Sequence, residues 1–582
     1  MMKTHRASSW SCLIVILMVF VQLGASVRTD EAYVTLLYGD EFLLGVRVLG
    51  KSIRNTGSTK DMVVLVSDGV SDYAKNLLRA DGWIVEMISL LANPNRVRPK
   101  RFWGVYTKLK IFNMTNYKKG NIFLGALCYC LVICASSLIV GYGAWLICCF
   151  CIEFECAVVY LDADTIVVKN IDDLFKCQKF CANLKHSERL NSGVMVVEPS
   201  ETLFNDMMSK VKTLASYTGG DQGFLNSYYS DFPNAHVFEP NLSPEALKSR
   251  PIPQMERLST LYNADVGLYM LANKWMVDEN ELRVIHYTLG PLKPWDWWTS
   301  WLLKPVDVWQ DIRVQLAESL PGTGGGQNPK ESFLVKFLFL LPLCALLICF
   351  YHSFLKNQGS SFCRSSLCDH FRRHYYKIRS TGPLTYTSIS TSTISSSHQL
   401  LNGSQFKVPV YLGGISICVC FMAAVVSLGI ALAIIPRQVM PWTGLLLMYE
   451  WTFTIFFILF GGYLHLIYQW GKIVASKAVS SLSQPGSSDY DSGKRHQRQA
   501  SSCDATTWFY GLGMAFLAIA APSLPFVFGI TALFVRLGLM VVGGIILASF
   551  MTYASEHLAI RSFLKGLEEW DIARNRTFCF LC

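Results

Sequence analysis

Apolar and polar positions follow two different patterns along this chain of 582 residues. In the first half the apolar runs are short and end in polar turns. Ala32–Leu37 (AYVTLL) and Asp61–Val66 (DMVVLV) read as strands, and Leu43–Arg54 between them has the period of a helix. This βα opening predicts an α/β sheet with ligands at the carboxyl ends of its strands and a pocket near Leu36 and Tyr38. A further strand, beginning at Val158 (VVYL), runs straight into Asp162-Ala163-Asp164, and another apolar run follows. In the second half the apolar runs lengthen until each can cross a bilayer core of about 30 Å. Five transmembrane helices are predicted at 333–350, 410–435, 442–467, 508–528 and 537–553.

Composition supports a membrane protein, with 51% hydrophobic and only 16% charged residues. At the start, Lys3 and Arg6 precede the apolar run Ser11–Leu23 and the small residues Gly24-Ala25-Ser26. Residues 1–28 therefore read as a signal peptide or short signal anchor, sending the next domain into the secretory lumen. The hydrophilic loops 351–409 and 471–505 are rich in lysine and arginine, which the positive-inside rule places in the cytosol. Counting spans from a lumenal first domain gives the same orientation. Both loops hold Ser/Thr-rich tracts, Thr385–Ser397 and Ser480–Ser488, with the composition of disordered sequence. Much of the net charge of +10 sits in these loops, so it implies no nucleic-acid partner. Glu450, inside a predicted span, has two readings: an intramembrane functional group, or an interfacial residue beside Tyr449 and Trp451.

The candidate chemistry lies in the first half. Two carboxylates one residue apart at a strand end, Asp162 and Asp164, can share a hard divalent cation such as magnesium or manganese. Such an ion can hold a nucleotide diphosphate. Downstream, Asn191-Ser192-Gly193-Val194 opens an apolar run, and Gly219-Gly220-Asp221-Gln222-Gly223 reads as a polar, glycine-rich turn. His286 begins HYTLGPLKPW and offers an imidazole as third ligand. Lys293, in a flexible stretch beside Gly290, can neutralise a phosphate.

With these motifs in this order, residues from about Tyr33 to Trp301 resemble glycosyltransferase family 8, the glycogenin-like enzymes. Within it the chain is most similar to the plant glycogenin-like starch initiation branch and to its membrane-embedded members that act on inositol phosphorylceramide. The resemblance implies a GT-A fold, a Rossmann-like α/β domain that binds a UDP-sugar, followed here by an α-helical multi-span membrane domain. It also implies manganese dependence, retention of anomeric configuration and a place in the Golgi membrane. Carried over by position, Asp162, Asp164 and His286 match the metal ligands, with Asp162, Ala163 and Asp164 against the nucleotide. Lys293 and Gly290 match the diphosphate loop, and Lys108 in TKLKIF a donor-binding lysine. Asn191, Asp221 and Gln222 match positions around the transferred sugar. Two departures argue against self-glucosylation: Thr218 stands where glycogenin has an aspartate, and the segment Tyr262-Asn263-Ala264-Asp265 differs from glycogenin's.

One segment breaks the family pattern. FNMTNYKK (Phe112–Lys119) should run almost directly into VVYLDADT, but Gly120–Ala157, 38 residues with seven of the nineteen cysteines, intervenes. A single crossing there would put Lys108 and Asp162 on opposite sides of the bilayer. Two crossings need roughly 40 apolar residues plus a turn. The insert therefore reads as translated non-coding sequence from a retained intron or faulty gene model; the alternative is a genuine hydrophobic loop. The catalytic domain is thus expected over 29–119 and 158–310. Cys177 and Cys181 are either a disulfide, as an oxidising lumen allows, or two buried thiols. One of Arg96, Arg98, Lys100 and Arg101 could pair with a donor carboxylate. Several spans suit a lipid acceptor, most simply inositol phosphorylceramide taking glucuronate. The rivals are a polysaccharide such as xylan, and an inactive membrane scaffold or transporter.

Overall fold

The fold comes from a computed structural model that describes residues 31–94, 104–117, 157–185, 188–242, 251, 253–319, 329–358, 408–482 and 505–578. The expected signal segment, the Arg96–Arg101 basic cluster, the insert up to Cys156, the Thr385–Ser397 tract and most of Ser480–Ser488 lie outside the described residues. Two compact units are formed. The first takes in the chain to Ser332 together with Arg437–Trp442 and Gly529–Leu537, and the second takes in the remainder.

The first unit is built on a mixed sheet. Its eight strands are β1 (Ala32–Leu37), β2 (Asp61–Val66), β3 (Ile84–Met87), β4 (Val158–Leu161), β6 (Phe180–Leu184), β7 (Leu190–Val197), β8 (His236–Val237) and β9 (Glu256–Leu258), in the order 3-2-1-4-7-6-9-8. Strands β3, β2, β1 and β4 are parallel, and β7 runs antiparallel to β4. A small second sheet joins β10 (Ala264–Asp265), β11 (Val284–His286) and β5 (Thr165–Val167). The strands Ala32–Leu37 and Asp61–Val66 begin and end where the hydrophobic pattern predicts; the first helix, α1 (Leu43–Asn55), runs one residue further.

Alternation along β1 divides the core. Tyr33 and Leu37 join the apolar layer under α1 and α2 (Asp72–Ala80), while Ala32, Val34 and Leu36 face Leu109, Ile111, Phe112 and Met195 on the other side. Because both faces are covered, the strands are continuous apolar runs rather than alternating ones. Helix α1 is buried on nearly every side, which forces Arg47, fully buried, to find a partner. It makes a two-point pair with Asp81, at 2.5 and 2.9 Å. Ser71 caps α2 through Ala74 N, satisfying one of the amides a helix start leaves unpaired.

Three segments noted in the sequence take their form here. The Gly-Gly-Asp-Gln-Gly stretch is not a turn throughout: Gly219 has φ +70, and Asp221 then opens a helix, α4 (Asp221–Tyr228), after α3 (Glu201–Lys210). The periodicity that reveals this helix begins only at Phe224 and Leu225, both buried against the sheet. Cys177 and Cys181 are joined in a disulfide. The segment of Thr107-Lys108-Leu109 is a run of tight 3-10 turns, Val105–Asn113, that buries Lys108. Two further helices among the described residues of this part are α5 (Val266–Ala272) and α6 (Val306–Ser319).

The second unit is helical. Among the described residues, four helices are long and apolar enough to cross a membrane: Tyr411–Ile434, Pro441–Lys477, Thr507–Val527 and Leu533–Glu568. The expected span at 333–350 lies in the helix Pro329–Gln358. Cys420, Ala423, Phe456, Phe460, Tyr510, Met514, Ala554 and Leu558 pack the helices together, small residues letting aromatic ones interlock.

Candidate active site

The sheet gathers the candidate residues at one edge. β1 and β4 are parallel, so Tyr38 and Asp162, each just past a strand end, emerge side by side. β7 returns antiparallel with Leu161 opposite Val194, which brings Asn191–Gly193 beyond the end of β4. The backbone closes there through Asp162 N donating to Gly193 O at 2.8 Å. β5 begins one residue after Asp164 and pairs His286 with Thr165, setting the imidazole beside that carboxylate. A cavity of about 800 Å³ results. It is lined by the candidate metal, donor and sugar-site residues Leu36, Tyr38, Lys108, Asp162, Ala163, Asp164, Asn191, Asp221, Gln222, His286, Gly290 and Lys293, while the Arg96–Arg101 cluster lies outside the described residues.

Ligand atoms of Asp162, Asp164 and His286 all lie within 4.8 Å of one another. Bonds of about 2.1 Å to one ion would place such atoms no more than about 4.2 Å apart, so the trio fits a shared hard cation after a small inward movement. Two oxygens and an imidazole nitrogen suit a manganese-class ion. His286 Nε2 is 3.4 Å from Asp164 Oδ1, and Nδ1 lies 2.9 Å from Asn263 Oδ1. That outer contact sets the tautomer and leaves Nε2 facing the carboxylates.

Two lysines balance the acids. Lys108 is buried, with its ammonium 2.9 Å from Asp162 and 3.0 Å from Asp221. Burial alone would lower the Lys108 ammonium, but Asp162 and Asp221 outweigh it and hold it above its usual range. Lys293 reaches Asp164 at 2.6 Å and donates to Tyr287 O at 3.0 Å. Burial pushes the Asp162 carboxyl up despite Lys108. At Asp164 burial acts the same way, yet Lys293 and His286 outweigh it and keep that carboxyl far below the usual range. Ser192 donates to Asp221 Oδ2 at 2.8 Å, and Asn191 Nδ2 to Gln222 Oε1 at 3.3 Å, linking the strand residues to the start of α4.

Several lining or supporting residues escape a sequence reading. Tyr160 donates its hydroxyl to Asp162 Oδ1 at 2.7 Å; its position two before Asp162 was the available signal, since alternate strand residues share a face. Asn263 bridges His286 and Asn191, and Lys185 lines the cavity while paired with Asp265 at 3.0 Å. Arg437 and Gln438 also line it, from a segment far along the chain that carries no motif.

No family model matches the chain. Inositol phosphorylceramide glucuronosyltransferase 1 of Arabidopsis thaliana is 64% identical over 582 residues, covering 99% of this chain and 99% of that protein. The chain belongs to this family, within the glycogenin-like glycosyltransferases of family 8. It is a glycosyltransferase with a GT-A-type α/β domain. Putative UDP-glucuronate:xylan alpha-glucuronosyltransferase 5 of Arabidopsis thaliana is 34% identical over 290 residues, 49% of this chain and 40% of its own. Glycogenin-1 of Mus musculus is 27% identical over 277 residues, 46% of this chain and 66% of its own. Among solved structures, galactosyltransferase LgtC in complex with donor and acceptor sugar analogues covers 50% of this chain and 96% of its own at 16% identity. The TM-score is 0.31.

Proposed function

We propose that the protein transfers glucuronate from UDP-glucuronate to inositol phosphorylceramide, with retention of anomeric configuration, on the lumenal side of the Golgi membrane. One observation carries the choice of acceptor: the 64% identity to the Arabidopsis inositol phosphorylceramide enzyme runs through 99% of both chains, spans included. The xylan-directed relative aligns with 49% of this chain.

Asp162, Asp164 and His286 would hold a manganese ion, which when bound neutralises the diphosphate and stabilises it as it leaves. Lys293, three residues after Gly290, takes up negative charge developing on the same leaving group. Lys108 cross-links Asp162 to Asp221, holding the nucleotide side and the sugar side of the cavity at a fixed spacing. Ser192 holds the Asp221 carboxylate, and Asn191 holds Gln222. Asp221 and Gln222 are assigned to stabilise positive charge at C1 while the acceptor hydroxyl attacks from the front face. Leu36 and Tyr38 at the end of β1 contribute the wall against the nucleotide.

The test uses microsomes containing the full chain and, in parallel, a form lacking Gly120–Ala157, supplied with manganese, radiolabelled UDP-glucuronate and inositol phosphorylceramide. A labelled glycolipid is the expected product. Label on xylan oligomers but not on the lipid would move the acceptor to polysaccharide, the reading the 34% relative favours. No turnover by either form, with any acceptor, would return the inactive scaffold. Label only with the shortened form would identify 120–157 as foreign to the enzyme.

A further inference from the structure

Arg437 is distinct from the other cations of the cavity. Lys108 is buried between two carboxylates, and Lys293 sits against Asp164. Arg437 instead has 65% of its side chain exposed while its partner Asp296 is 1% exposed. Nη2 meets Asp296 Oδ2 at 2.7 Å, and the guanidinium lies 5.4 Å from the centre of the Trp298 ring. Among the described residues no other nitrogen of this guanidinium is seen to bond. The fork is therefore anchored on one side and displays its remaining donors to the cavity, the geometry suited to a second, planar or tetrahedral oxyanion.

Its backbone is fixed as firmly as the side chain. Trp297 N donates to Arg437 O at 3.0 Å, Gln438 Nε2 to Glu41 O at 2.8 Å, and the buried Arg313 to Gln438 O at 2.6 Å. Neutralising the buried Asp296 occupies one side of the guanidinium, and the donors on its exposed side are held in place for a second charge. Arg437 also follows the last residue of the candidate span Tyr411–Ile434 by three residues. Sequence position thus puts a cavity cation just past the end of a helix long and apolar enough to cross a membrane.

We infer that Arg437 is the acceptor-side anion receptor: it binds the phosphodiester of a phosphoinositol lipid and holds the headgroup hydroxyl toward the donor. This rests on the lipid-acceptor reading above. A donor carboxylate is the other oxyanion of the same chemistry, and the kinetics separate the two. The full chain is compared with Arg437→Gln and Arg437→Lys in vesicles of neutral phospholipid carrying graded inositol phosphorylceramide. R437Q is expected to raise the apparent KM for the lipid about 10- to 100-fold, the worth of a charged hydrogen bond or two, while donor KM moves less than threefold. R437K keeps the charge against Asp296 but loses the fork, so an intermediate lipid KM is expected even if R437Q folds poorly. A rise confined to donor KM would assign Arg437 to the donor carboxylate and overturn the inference, as would lipid KM unchanged in both variants. If wild-type protein labels no lipid, the acceptor reading itself fails. Binding of soluble glycerophosphoinositol, weaker in R437K than in wild type, then supports the receptor role, and equal binding refutes it.

Discussion

Gly193→Ala is the smallest change expected to disable the site. A Cβ on Gly193 would collide with His286 Cε1 and stand 2.6 Å from His286 Nδ1 and 2.9 Å from Asn191 Oδ1. Ordinary contact for such atoms is about 3.5 Å, so the imidazole would have to retreat by about 1 Å or more. The strand has little room to yield instead: Gly193 O accepts from Asp162 N at 2.8 Å, and Val194 is in register with Leu161. Displacing the ring also breaks its contact with Asn263. Losing the outer support of a ligand costs roughly 10- to 100-fold in metal affinity, and a misplacement of about 1 Å roughly 100-fold in rate. We therefore expect kcat/KM to fall about 100-fold, equivalent to about 2.7 kcal/mol, and the manganese half-saturation concentration to rise at least tenfold. The assay is UDP release from UDP-glucuronate across a manganese titration. A double-mutant cycle isolates the cause: G193A should add much less on top of His286→Ala than it costs alone, since the methyl acts chiefly by displacing that ring, with the contact to Asn191 Oδ1 the smaller remainder. If G193A keeps kcat/KM within threefold of wild type, or costs as much without His286 as with it, the reasoning is wrong.

Lys108→Met should lower the metal-free unfolding midpoint, because Asp162 and Asp221 would be left unpaired; breaking such a buried pair costs about 3–5 kcal/mol, and added manganese should recover part of it in a melting experiment. Chelation by EDTA should abolish UDP release and manganese restore it, with Asp162→Asn and Asp164→Asn each shifting the half-saturation concentration upward; full activity in EDTA would remove the metal from the reaction. Tyr160→Phe removes the hydroxyl that donates to Asp162 at 2.7 Å and should raise the same half-saturation several-fold with little change in stability. Ending the chain after Ser319 should destabilise the α/β domain by about 1.5–3 kcal/mol, since Arg313 loses the Gln438 carbonyl it holds at 2.6 Å; limited proteolysis reads this, and a protease-resistant truncated domain would refute it.

How much of this was legible in the sequence depended on how local the signal was. The first two strands, the first helix and the long apolar helices could be read because side-chain period and run length reflect burial directly. Asp162, Asp164, His286 and Lys293 stood out because each pair sits within a few residues and next to a strand end. The start of α4 reads as a turn because glycine and polar residues fill Gly219–Gly223, three of them inside the helix, and burial of Phe224 and Leu225 decides the helix only once the sheet is there.

The sequence by itself therefore determined an α/β domain with a two-carboxylate motif ahead of a helical membrane region. Tertiary structure alone decided which residues share the cavity. Gly193 reads as an unremarkable strand glycine until β11 brings His286 against it, and Asn263 reads as loop until it meets that imidazole. Arg437 lies 141 positions from Asp296, and no periodicity or spacing relates the two. The physical reason is common to all three: periodicity records which side of its own element a residue occupies, whereas a binding site is made where strands adjacent in the sheet are distant in the chain.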